Sequence, residues 1–121
     1  MEVGVKIIGS CHCGAVTFEA ASEPKWLVSC NCSICWRLGA LWVHAPPAVA
    51  TVDAPANSTT VYIWGDRGIE FHSCSMCGCT THWASVSRER IAVNMRLADP
   101  EAIKHIRIRH WDGADSWEWL D

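Results

Sequence analysis

Phenylalanine and tyrosine are nearly missing from this chain, which has two of the first and one of the second. A core built on them is excluded, so large buried area has to come from eight tryptophans and the aliphatic residues. Long apolar runs are missing as well. Nothing reaches membrane-spanning length, and the stretch from Met1 to Ile8 is too short and mixed for a signal peptide. Basic runs are also lacking. The net charge is −3, and the densest basic stretch, residues 104–110, alternates with Ile106 and Ile108 as a solvated strand face would. That balance argues against nucleic-acid binding. Only 19% of residues are charged while 50% are apolar, which argues against global disorder. The expectation is one domain over 1–121, cytoplasmic, without nucleic-acid or membrane partners.

Cysteine is the residue in excess. Seven of eight lie in three clusters: Cys11-His12-Cys13-Gly14, Cys30-Asn31-Cys32-Ser33-Ile34-Cys35 and Cys74-Ser75-Met76-Cys77-Gly78, with Cys79 directly after. Thiols one or two residues apart on tight turns are badly placed to bridge one another and well placed to share a soft cation. In a reducing compartment this points to zinc, and the number of thiols points to more than one ion.

The outer pairs each offer half a tetrahedron. Cys11, Cys13, Cys74 and Cys77 together predict a closed, structural four-cysteine zinc that joins distant parts of the chain. The middle group, Cys30, Cys32 and Cys35, has no local fourth ligand. A zinc held by three thiolates keeps a position for water or substrate, as catalytic sites do. The alternative is a second closed site, completed by Cys79 or by His12, His72 or His82. Spacing leaves the two readings open.

The remaining pattern is mostly β. Strands are expected over 15–20, 25–29, 40–44, 59–64, 69–73, 91–97 and 106–111, with a hairpin turn at Gly65-Asp66-Arg67-Gly68. Asp99-Pro100-Glu101 predicts one short helix. Residues 45–58, rich in proline and alanine, read as a loop with room for a short strand. Trp36 and Trp42 flank the middle cluster as candidate pocket walls, though packing over the metal turn is the commoner role for such residues.

The ordered motifs Gly9-Ser10-Cys11-His12-Cys13-Gly14, Cys30-x-Cys32-Ser33-x-Cys35 with Arg37 and Gly39, Cys74-x-x-Cys77-Gly78 and Val93-Asn94-Met95-Arg96-Leu97 resemble one family. It is that of the glutathione-dependent formaldehyde-activating enzymes, or S-(hydroxymethyl)glutathione synthases, which share a β-tent fold with centromere protein V. The resemblance spans roughly residues 9–111. It implies a mainly β, zinc-stabilised β-tent of antiparallel sheets with at most one or two short helices. It further implies a closed zinc on Cys11, Cys13, Cys74 and Cys77 and a more labile zinc on Cys30, Cys32 and Cys35.

The reaction implied is a carbon–sulfur lyase type: glutathione or a similar thiol condenses with formaldehyde or another aldehyde to a hemithioacetal. Cys30, Cys32 and Cys35 would then carry the chemistry. Arg37 and Arg96 would meet the carboxylates of the thiol, and Asn94 would orient it. His12 or His82 would give a proton to the alkoxide. Two other readings stand beside this one. One is a non-catalytic zinc-binding module or thiol carrier; the other is a thiol-redox or zinc sensor using Cys30, Cys35 and Cys79.

Overall fold

The structure is a computed structural model and describes residues 6–45 and 49–121. Its first half holds β1 (Ile7–Ser10), β2 (Thr17–Ala20), β3 (Trp26–Cys30), α1 (Ser33–Leu38), β4 (Trp42–Ala45) and β5 (Ala50–Asp53). The second half adds β6 (Thr59–Ile63), β7 (Ile69–Cys74), β8 (Thr80–Ser85), β9 (Ile91–Asn94), α2 (Pro100–Ile103) and β10 (Arg107–Trp111). Three strands form a small sheet, β1-β2-β5. Seven form a large one, β10-β3-β4-β9-β8-β7-β6. The chain is mainly β with two short helices, as expected. One expectation is corrected: β10 pairs with β3 in parallel, because α2 and the segments around it carry the chain back across the sheet.

Local sequence explains most elements. In β2, Phe18 and Ala20 point inward while Glu19 faces solvent, the period-2 pattern of a half-buried strand. The β6–β7 hairpin turns at 65–68, where the Gly68 N–H donates to Asp66 Oδ1 at 3.0 Å. In α2, Asp99 caps the Glu101 N–H at 3.0 Å and Pro100 fills the first turn. The strand expected over 91–97 stops at Asn94. Its Oδ1 accepts N–H groups from Arg96 and Leu41, bending 95–97 into a 3-10 turn. Three elements were not anticipated: β1, β8 and α1. The short strand of the 45–58 stretch is β5, and residues 46–48 of that stretch lie outside the described residues.

Strand alternation gives the large sheet two different faces. One face carries Leu27, Val93 and Val43, which pack with Ile7, Phe18 and Met95 into a core shared with the small sheet. Burying each large apolar side chain there contributes roughly 1.5–3 kcal/mol. The other face carries Val28, Trp42, Ala92, Trp83 and Phe71. The cavity described below opens on this face, with Ala20 and Ala50 of the small sheet at its margin.

Candidate metal centres

The two hairpin turns that bear the outer cysteines meet where the sheets join. Cys11, Cys13, Cys74 and Cys77 bring their sulfurs within 4.8 Å of one another. A zinc–sulfur bond of about 2.3 Å in a tetrahedron requires sulfur–sulfur edges of about 3.8 Å. The Cys11–Cys13 and Cys13–Cys74 edges measure 3.8 and 3.6 Å. The sulfurs also accept backbone N–H groups, from Val16 to Cys11 at 3.3 Å and from Met76 to Cys74 at 3.4 Å. Such donors disperse thiolate charge. Gly14 and Gly78, at φ of 86° and 81°, supply the left-handed backbone that turns the chain away from the sulfurs. Donor number, edge lengths and N–H donors are all compatible with zinc.

Cys79 lies beside this centre and not beside the middle cysteines. It packs with Cys11, Val16 and Cys74. Its sulfur accepts the His12 N–H, but burial and the neighbouring Cys77 outweigh that contact and push its pKa up. The Cys77 thiol is drawn down to about 5 by the Cys79 N–H and other donors. Cys79 is therefore not the fourth ligand of the middle group. Nor is His12, which stands exposed on the first turn.

Cys30, Cys32 and Cys35 form the second centre, their sulfurs also within 4.8 Å of one another. Cys30 ends β3, and Cys32 is the N-cap of α1, its sulfur accepting the Cys35 N–H at 3.4 Å. The helix was hidden in the sequence because its cap is a cysteine, not a serine or aspartate. The indole N–H of Trp42 donates to Cys35 Sγ at 3.3 Å. Without a cation, the Cys35 thiol donates to Cys30 and holds the Cys30 pKa at about 6, while Cys35 is pushed far up by Cys30 and by burial. Three thiolates this close need a positive charge among them, and their number and spacing are compatible with zinc.

All three of these cysteines line a cavity of about 910 Å³, whereas none of the outer four does. Seven of the eight tryptophans line it too, all but Trp36, which is 73% exposed on the outside of α1. Trp42 keeps its expected place in the wall; Trp36 does not. Trp111 sits edge-on to Trp119 and Trp117, with ring centroids 5.1 and 6.3 Å apart. Among the described residues, the charged groups at the cavity are Lys25, Arg90 and Asp66.

His44 lies on the same face, two residues beyond Trp42, with its ring 5.4 Å from Trp83. His44 is exposed to solvent at the cavity, and the protein packed around it, together with Arg90, draws its pKa down to about 4. The sequence held a signal for it, since residues i and i+2 of a strand share a face.

The other expected site residues lie elsewhere. Arg37 donates to Ser33 O within α1 at 2.9 Å, and Arg96 donates to Gly39 O at 2.8 Å. Asn94 is buried, its amide donating to Thr80 O at 2.9 Å. None of the three lines the cavity. His82 pairs with Val93 on the opposite face of the sheet, stacked 4.4 Å from His72, so it is turned away from the middle cysteines.

Comparison with known proteins agrees with this layout. Residues 6–111 match the family model for the glutathione-dependent formaldehyde-activating enzyme. The chain belongs to that family. Among solved structures, a Rhodobacter sphaeroides protein superposes with a TM-score of 0.67 at 30% identity, covering 84% of this chain and 98% of that one. The family match takes in both cysteine centres and stops at Trp111, short of the tryptophan-rich C-terminal segment. Among the described residues, no helix is long and apolar enough to cross a membrane.

Proposed function

We propose that the Cys30–Cys32–Cys35 centre binds zinc and adds a small-molecule thiol of the glutathione type to an aldehyde, giving a hemithioacetal. The observation that carries this reading is that these three thiols, unlike the other four, open into the large cavity. Family membership supports chemistry involving glutathione and formaldehyde. A zinc ion on three thiolates supplies a fourth position where an incoming thiol gives up its proton at neutral pH. The four-cysteine centre, out of reach of the cavity, holds the scaffold zinc in this reading.

The remaining work falls to the chain's own side chains and to solvent. In the addition, the thiol sulfur bonds to the carbonyl carbon, the C=O π pair moves to oxygen, and the proton lost by sulfur ends on that oxygen. His44 lines the same cavity but lies at the level of Trp26, four residues along β3 from Cys30, so solvent in the cavity returns the proton to that oxygen. Trp42 steadies Cys35 through its indole N–H. Glutathione carries two carboxylates and one ammonium group, and the cavity offers Lys25 and Arg90 against Asp66. We therefore assign thiol recognition to these three and not to Arg37, Asn94 and Arg96.

The test is hemithioacetal formation from glutathione and formaldehyde, followed by exchange NMR with zinc-loaded protein. Acceleration should disappear in Cys32→Ser while circular dichroism shows an intact fold. An unchanged rate in that variant would remove the reading.

A further inference from the structure

The C-terminal segment beyond the family match builds one wall of the cavity. Trp117 and Trp119 lie past residue 111, and both face into it. The segment is firmly tied down. Asp112 accepts the Ser116 N–H and hydroxyl at 3.1 and 2.8 Å, and Trp117 N–H donates to Asp112 O at 2.8 Å. Asn31, between two of the middle cysteines, clamps it from the other side. Its amide donates to Asp112 Oδ1 and its Oδ1 accepts the Ala114 N–H, both at 3.0 Å. Gly113 passes so close that a Cβ there would stand 2.7 Å from Cys30 Sγ.

These ties hold two indoles in places that folding alone does not favour. Trp117 has φ of 58°, a left-handed conformation unusual for a bulky residue, and its side chain stays 69% exposed. Trp119 is 37% exposed and Trp64, across the cavity, 41%. Large aromatic surface left open inside a concave site marks a place for an apolar ligand. Trp119 is taken up by the Arg109 guanidinium, 4.0 Å over its ring, and by Trp26, 5.8 Å away, so the open ring surface of this cluster belongs mainly to Trp117, against which another flat ring can pack. A one-carbon aldehyde needs none of this. A volume of about 910 Å³ lies near the top of the range for pockets that enclose drug-sized ligands.

We infer that the carbonyl partner is a ring-bearing, uncharged aldehyde, and that segment 112–121 is the element selecting it. This rests on the reading of the middle cysteines as a thiol–aldehyde site. The lining cations are accounted for by the thiol, so the ring compound itself should carry no charge.

The test uses zinc-loaded full-length protein with glutathione and either 2-naphthaldehyde or formaldehyde. In parallel, quenching of tryptophan fluorescence by the unreactive 2-naphthalenemethanol reads occupancy of the cavity alone. The expected kcat/KM favours 2-naphthaldehyde, and Trp117→Ala lowers that preference about tenfold, the loss of one stacking partner with its buried area. Trp117→Phe should recover most of it, which separates ring contact from a folding defect. Equal or better turnover of formaldehyde, with no quenching by the alcohol, overturns the inference and leaves the thiol–aldehyde reading standing. Quenching that is lost in Trp117→Ala, with no aldehyde accelerated, upholds the ring site and removes the reaction. Neither quenching nor turnover removes both.

Discussion

The two cysteine centres differ less in their ligands than in their surroundings. In the four-cysteine centre, Cys11 and Cys74 are almost wholly buried, Val16 and Cys79 pack against the sulfurs, and the two turns come from different sheets. Its position is that of a rivet. In the three-cysteine centre the thiols come from one strand end and the helix that follows it, so a metal there would join little that the chain has not already joined. It faces a cavity instead. The difference teaches that a site which holds the fold together sits between elements distant in sequence. A site free to do chemistry can be assembled locally and left open.

Several experiments can break or sharpen this contrast. The largest effect should come from Cys74→Ser. Structural zinc contributes an apparent ~10–16 kcal/mol in small zinc domains, comparable to the entire stability of a typical domain. The variant should lose cooperative thermal unfolding, and a normal melt would show that the four-cysteine centre is not the rivet. Next, a mild chelator should remove one of two zincs and leave far-UV circular dichroism unchanged. Simultaneous loss of both, or unfolding, would erase the distinction between the centres.

Gly113→Ala should act on the open centre alone. Forcing a methyl against Cys30 displaces the segment that supports the cluster, and disturbed support of this kind weakens metal affinity by about 10–100-fold. Competition with a chromophoric chelator measures it, and equal weakening of both zincs would argue against separate sites.

The smallest effect concerns acid, and it contrasts the two faces of the large sheet. His82, on the face away from the open centre, is buried and its pKa is lowered to about 4, by burial first and then by His72. The unfolded chain, with an ordinary histidine pKa of about 6.5, binds the proton first. His82 therefore contributes no penalty above about pH 6.5 and destabilises the fold progressively as pH falls from there towards 4, by an amount on the order of 3 kcal/mol. Denaturant melts across that window should be flatter for His82→Gln than for the parent chain. An identical slope would assign acid sensitivity to groups other than His82, with His44 and the thiolate centres among them.

Much of the candidate site was legible because metal ligation by cysteine is written in short spacings. Cys-x-Cys-Gly and Cys-x-x-Cys-Gly turns are local, and so is the three-thiol group. Period-2 alternation similarly exposed β2 and the β6–β7 hairpin, and Asp99-Pro100 exposed α2. What escaped depends on contacts between distant residues. Strand β1 is four residues long and needs β2 beside it, and α1 begins on a cysteine cap. Arg37 and Arg96 look available in the sequence, yet each donates to a backbone carbonyl.

The sequence by itself determined that seven of the eight thiols fall into three tight clusters and that the chain folds as a mainly β protein, since both follow from residue spacing. Tertiary structure alone decided that Cys79 sits with the four, that His44 and not His82 lines the cavity onto which the three open, and that seven tryptophans spread from residue 26 to 119 converge on that cavity. The reason is physical: spacing dictates which groups can share a turn or a strand face, whereas a cavity exists only where separate strands and a tail come to rest against one another.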